Sequence, residues 1–340
     1  ERIAFTKDLS GMLGARLTLS RALCVIERQS ANKSLKAIVT DLGGRVKKGD
    51  AFNEALAAHP KVFSKLYIAM TRAGEESGTL ADSLKVVAKQ MDRSFTLQKK
   101  IKGAMIYPCI ILFAIVVIGV LMMIYVVPTL AATFKQMGAE LPAATQAVIS
   151  ISDFMSSHVV TVFIILILSI LAIIAFFRSK IGGTIVLAVA LRIPVIGTLV
   201  RETYSARAAR SLSSLLSSGV EMLNAIDITK EIVGDNRFGK VVEEAGVRVK
   251  KGEALSASFI EHEKLYPVFI GEMITVGEET GQVAGMLAQV AEYYENDVEE
   301  GTKDLSTIIE PMLMLLIGAF VGVFAVSMIA PIYSLSSQIG

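Results

Sequence analysis

The chain has 340 residues, 53% hydrophobic and only 19% charged, with a formal net charge of +2. That is too apolar for an ordinary soluble protein of this length, so a membrane protein is the starting expectation. Two cysteines, Cys24 and Cys109, argue against a disulfide framework and fit a reduced compartment. The chain opens on Glu1 with neither an initiator Met nor a signal-peptide pattern, which points to natural residues ahead of it.

In chain order, residues 1–102 read as a cytoplasmic helical domain. Within TLADSLKVVAKQM the apolar residues Leu80, Leu84, Val87 and Met91 recur at helical spacing and form a stripe that needs a partner surface. Residues 103–127 form an apolar run long enough to cross a bilayer, which takes roughly 20 residues as a helix. Residues 128–158 are a short, weakly charged external loop, and 159–177 form a second span. A further apolar stretch, IGGTIVLAVALRIPVIGTLV at 181–200, is broken by Arg192 and Pro194 and reads as an interfacial helix or a buried core element. Residues 178–306 form a second cytoplasmic helical domain, 307–331 a third span and 332–340 an external tail.

Positive charge sets the expected orientation. Lys and Arg number 19 in residues 1–102, one (Lys135) between the first two spans, 14 in 178–303 and none after the third span. Basic residues abut the spans on one side, as at Lys99, Lys100, Lys102, Arg178, Lys180 and Lys303, so both helical domains are expected inside and the C-terminus outside. The cluster beside the first span reads as a contact with anionic lipid rather than with nucleic acid.

GEESGTL at 74–80 returns as GEETGQV at 277–283, an offset of 203 residues. The same offset aligns RVKKGDA at 45–51 with RVKKGEA at 248–254, His59 with His262, Phe63 with Tyr266, Tyr107-Pro108 with Glu310-Pro311 and Pro128 with Pro331. The chain is therefore a duplication, and the fold class expected is an all-α membrane protein of two tandem repeats. Each repeat is a helical bundle followed by a transmembrane helix, and the unpaired middle span lets both point the same way.

Glu75, Glu76, Glu278 and Glu279 sit in the acidic turns. Carboxylates just ahead of a helix are stabilised by its exposed N–H groups, so one Glu of each pair is expected to serve the helix that follows. The other would face outward to dock a basic partner surface or a divalent cation. No GxxxxGK[ST], HExxH, GxSxG or CxxC pattern occurs, so no catalytic residue, cofactor or metal site is indicated. Glu310 lies at the inner rim of the third span beside Pro311, which suits the first turn of a helix. Pro108, Glu310 and Pro311 mark the junctions from domain to span. Gly318 and Gly322 form a GxxxG pair suited to close helix packing. Residues 1–102 carry net +9 and residues 178–310 net −6, so the repeats are expected to meet different partners, or each other across a homo-oligomer.

GEESG before a helix, KKIKGAMIYP leading into the first span, the run LRIPVIGTLVRETYSARAARSLSSLLSSGV, GEETG, and EP at the third span together resemble the PilC-like platform proteins. These are the inner-membrane F components of type II secretion and type IV pilus machines. The resemblance implies a non-enzymatic scaffold, with no cofactor, that contacts a cytoplasmic secretion or pilus ATPase, pilin or pseudopilin subunits and other inner-membrane assembly components. It would place Glu75, Glu76, Glu278 and Glu279 near partner surfaces. A reading from a different class, a small oligomeric transporter or channel subunit, requires polar residues along the spans, and the sequence supplies only Glu310 at a rim.

Overall fold

Asn32 begins a helix by accepting hydrogen bonds from the backbone N–H groups of Ser34 and Leu35, and Asn236 does the same for Phe238 and Gly239. Such local signals divide the chain into helices throughout. The computed structural model describes residues 1–136, 143–234 and 236–339, and no strand occurs among the described residues. The first repeat supplies α1 (Arg2–Gly14), α2 (Leu19–Gln29), α3 (Lys33–Lys48), α4 (Phe52–Ala57), α5 (Lys65–Glu76) and α6 (Leu80–Leu121). After a π-helical turn at Met122–Val126 come α7 (Val127–Gln136), α8 (Ala143–Ser157), α9 (Val159–Arg178) and α10 (Lys180–Ala190). The second repeat supplies α11 (Pro194–Ser217), α12 (Met222–Val233), α13 (Arg237–Lys250), α14 (Leu255–Glu261), α15 (Val268–Thr280) and α16 (Val283–Ile339). The starts of α2, α4, α5 and α6 each recur 203 residues later as the starts of α12, α14, α15 and α16.

The soluble parts of the two repeats do not form the two separate bundles expected of them. Glu1–Lys100 and Leu191–Gly301 make one compact unit, and Ile101–Ala190 with Thr302–Gly340 make the other. The first unit is built on fully buried side chains from both repeats, among them Phe5, Leu9, Leu84, Leu212, Phe259 and Leu287. Leu84 and Val87 of the predicted stripe, and Leu287 and Val290 of its copy, are all buried there. The second repeat therefore begins its compact part at Leu191 rather than at 178.

Three helices, Leu80–Thr133, Val159–Phe177 and Val283–Val326, contain stretches long and apolar enough to cross a membrane. The stretch at 181–200 is split as expected: α10 ends at Ala190, and Pro194 opens α11, where its fixed φ and missing N–H are tolerated. The first span differs from expectation. Its helix does not stop at 127 before Pro128 but passes through the π-helical turn and continues to Gln136. Pro128 has no N–H to donate to the carbonyl four residues earlier, and the turn absorbs the mismatch by bonding Val127 N–H to the Met122 carbonyl. Ser152 Oγ of α8 donates to the Met123 carbonyl at 2.5 Å. The segment read as an external loop is thus largely helical, and a small core of Val127, Ala131 and Ile149 joins α7 to α8. Residues 137–142 of that segment lie outside the described residues, as does Gly340 of the predicted tail. The rest of that tail, 332–339, is a continuation of α16.

Candidate functional site

The acidic turns are built from α5 and α15. α5 ends on the Gly-Glu-Glu triplet and α15 one residue past it, at Thr280, so the glutamates close one helix instead of opening the next. Glu75 reaches back to α4, where it accepts from the backbone N–H of Phe52 at 2.7 Å and of Asn53 at 3.0 Å, and from Asn53 Nδ2 at 2.7 Å. Glu278 repeats this at α14: Leu255 N–H donates at 2.5 Å, Ser256 N–H at 3.3 Å and Ser256 Oγ at 2.6 Å. The residues before α4 and α14 are Ala51 and Ala254, whose side chains cannot cap a helix. The carboxylate therefore arrives from 22 to 23 residues downstream to satisfy the exposed donors. The expectation that one glutamate serves the following helix is corrected: it serves a preceding one.

The glycines of the motif have separate tasks. A Cβ on Gly74 would lie 2.3 Å from Ser83 Oγ and one on Gly277 2.8 Å from Val283 Cα, so these positions let the end of one helix touch the start of the next. Gly78 and Gly281 both have φ of 71°, the left-handed conformation that turns the chain into α6 and α16. The second glutamates point away: Glu76 is exposed and pairs with Arg72 one turn earlier at 2.7 Å, and Glu279 is exposed. Of the four candidate partner-binding residues, Glu75 and Glu278 are thus engaged inside the fold, and Glu76 and Glu279 lie on the surface.

Each repeat also holds a charged cluster that sequence reading did not assemble. Asp41 accepts from Arg45 Nε at 2.9 Å and lies 2.9 Å from His59 Nε2. In the second repeat Arg248 Nη2 reaches Glu244 at 2.8 Å, and His262 Nε2 is 3.7 Å from Glu244. The Arg45 guanidinium, and then His59, hold the Asp41 carboxyl below its ordinary value of 3.8. Arg248 also grips Glu261 and holds that carboxyl below 4.5. The offset would have found this cluster, because Asp41, Arg45 and His59 map onto Glu244, Arg248 and His262. Among the described residues no group of three or more His, Cys, Asp or Glu side chains converges as metal ligands would.

A third cluster joins the repeats. Glu295 of α16 receives Arg210 Nε of α11 at 2.8 Å and Arg210 Nη2 at 2.7 Å, and Arg93 Nη1 of α6 approaches it at 3.4 Å. Lys65 of α5 pairs with Glu231 of α12 at 2.5 Å, and Lys100 of α6 pairs with Glu299 of α16. The counterpart of Arg210–Glu295 in the first repeat is Lys7–Asp92 at 3.0 Å, whose side chains are about half exposed.

The expected junction residues are placed differently from the reading that put Pro311 in a first turn. Pro108 lies inside α6 and Pro311 inside α16, so neither helix restarts at the membrane. Glu310 is exposed, one residue before Pro311. Each proline deprives the carbonyl four residues earlier of its helical donor. Gly318 and Gly322 have open space where a Cβ would stand, so the GxxxG pair meets no described neighbour within the chain. The close approach occurs at Gly119 instead, where a Cβ would come within 3.3 Å of the Phe320 ring.

A duplicated helical scaffold whose repeats share one compact unit, each with a terminal helix continuing into a segment apolar enough to cross a membrane, defines a multi-pass membrane protein. The chain belongs to the type II secretion system protein F family, which matches residues 5–128 and 208–331, two segments set apart by the same 203 residues. It is similar to the type IV pilus assembly protein PilC of Thermus thermophilus, 34% identical over 331 residues, which is 97% of this chain and 81% of that protein. PilC of Pseudomonas aeruginosa is 31% identical, over 99% of this chain and 90% of its own length. The type II secretion system protein F of Xanthomonas campestris is also 31% identical, over 99% of this chain and 83% of its own.

Proposed function

We propose that the protein is a non-enzymatic inner-membrane platform of a type IV pilus or type II secretion machine. It couples a cytoplasmic assembly ATPase to the extraction and polymerisation of pilin or pseudopilin subunits. The names of its relatives support the setting. The observation that carries the coupling is the continuity of α6 and α16, which run 42 and 57 residues without a break from the shared compact unit into segments that cross the membrane. A displacement applied to that unit by a motor would pass along two rods instead of being lost in loops. The charge pattern supports an orientation with Glu1–Lys100 and Leu191–Gly301 in the cytoplasm and the C-terminus outside. The exposed Glu76 and Glu279 are the acidic groups left available to a basic partner surface.

The test is in-cell photo-crosslinking from Glu76 and Glu279, with the captured protein identified. Recovery of an assembly ATPase or a pilin is the expected result. A small-molecule carrier or channel component in its place would overturn the platform reading.

A further inference from the structure

Each repeat carries a pair of faces, and the chain uses only one of each. The face of the first repeat on α5 and α6 is covered by α11, α12 and the start of α16. Lys65 meets Glu231 there, Gln90 receives Ser214 Oγ at 3.3 Å, and Arg93 meets Glu295. Leu66 and Gln90 are only 8% exposed as a result. Their counterparts 203 residues on, Phe269 and Tyr293, are 38% and 51% exposed, with Val268 at 56% and Val276 at 43% beside them. The opposite asymmetry holds for the covering face: Ser211 and Ser214 are buried, while their counterparts Asp8 and Gly11 are exposed.

We propose that the open α15–α16 face of the second repeat binds the open α1–α6 groove of the first repeat in another copy of this chain. The internal contact supplies the template. In it Val86, Gln90 and Arg93 line a crevice against Arg210, Ser213, Ser214 and Ser217. The equivalent groove on the first repeat, about 460 Å³, is lined by Lys7, Gly11, Gly14, Lys85 and Lys89 together with Asp82 and Asp92, and no described residue of the chain fills it. The residue equivalent to Gln90 is Tyr293, whose ring would lie over Gly11 and Gly14, where the absence of side chains leaves room. The fields are complementary as well. Glu272 is exposed one turn along α15 from Phe269, and the groove carries Lys7, Lys85 and Lys89 against Asp82 and Asp92, a positive balance. Because the two faces differ, the contact is heterologous and propagates from copy to copy, closing a ring or extending an array instead of stopping at a two-fold dimer.

The test uses two differently tagged full-length copies in membranes, both with Cys24→Ser and Cys109→Ser, one carrying Gly11→Cys and the other Tyr293→Cys. Open space at Gly11 makes that substitution tolerable. Mild oxidation is expected to give a mixed-tag disulfide, with Gln90→Cys/Ser214→Cys within one chain as the positive control. In a separate arm, proximity of the two tags without cysteines is expected to fall about tenfold with Lys85→Glu or with Glu272→Lys and to recover when the two changes are combined. The proposal is overturned if Tyr293→Cys copies link only to each other, which indicates a two-fold contact. It is equally overturned if position 293 links only to a different protein, or if the control oxidises while no mixed-tag product forms.

Discussion

Glu75 and Glu278 belong to a small class of carboxylates that hold a helix to which they do not belong. Truncating either to Ala strands two backbone donors at the start of α4 or α14, and the expected cost is about 1–3 kcal/mol, since charge-assisted hydrogen bonds lie in that range. Glu279→Ala should stay within about 0.5 kcal/mol, as for an ordinary surface change. Thermal unfolding of the detergent-solubilised protein measures both, and equal losses at 278 and 279 would contradict the geometry. Acid supplies a second readout at this scale. Asp41 and Glu261 have carboxyls held below their ordinary values by Arg45 and Arg248. A group with a depressed folded value stabilises the fold fully above its ordinary value, and that contribution is lost as pH falls below it. Stability should therefore drop as pH falls through about 4.5 and below, and Arg248→Ala should reduce the Glu261 share of that dependence. Urea midpoints taken between neutral pH and pH 3 would show it.

Among the elements, the turns into α6 and α16 and the π-helical turn carry the sharpest expectations. Gly74→Ala sets a Cβ 2.5 Å from Ser83 Cβ and 3.2 Å from Leu80 Cα, and Gly277→Ala sets one 2.8 Å from Val283 Cα, contacts that side-chain rotation cannot relieve. Both should destabilise, and a lowered unfolding midpoint for each variant tests it. Ser152→Ala leaves the Met123 carbonyl without its donor, at an expected cost of about 1–3 kcal/mol confined to the second unit. The same elements show how far the sequence could be read. Periodicity located the stripe of Leu84 and Val87, and hydropathy located all three spans, because burial and bilayer thickness act on contiguous residues. Pro128 was read as an end because the local rule stops a helix there; the bond that lets the helix continue joins Val127 to Met122, a register shift with no composition signal. The target of Glu75 was missed for a related reason. The nearest helix in sequence is α6, but chain reversal through α5 brings the start of α4 closer in space.

At the scale of the whole molecule, the repeat was fully legible and its consequence was not. A constant offset of 203 residues fixed the duplication without a gap, yet nothing in that arithmetic says whether two copies fold apart or together. The answer lies in residues that differ between copies. Arg93 maps to Asn296 and Lys65 to Val268, so two of the three basic groups that join the repeats were not kept in the second copy, while the third, Lys100, recurs as Lys303. Glu295→Gln should loosen that junction, because Arg210 and Glu295 are mostly buried and removal of the charge leaves two guanidinium groups facing a neutral amide. A double-mutant cycle of Arg93→Ala with Glu295→Gln is expected to show coupling of about 0.5–3 kcal/mol, and strict additivity would remove Arg93 from the cluster.

The contact between the repeats is also unimolecular. Because one polypeptide carries both partners, each stays near the other at an effective concentration set by the intervening chain and unaffected by dilution or expression level. Ion pairs as modest as Lys65–Glu231, both of whose side chains are at least half exposed, are then sufficient to keep the junction populated. A junction held in this way can open and close under load many times without the two halves ever being lost to each other.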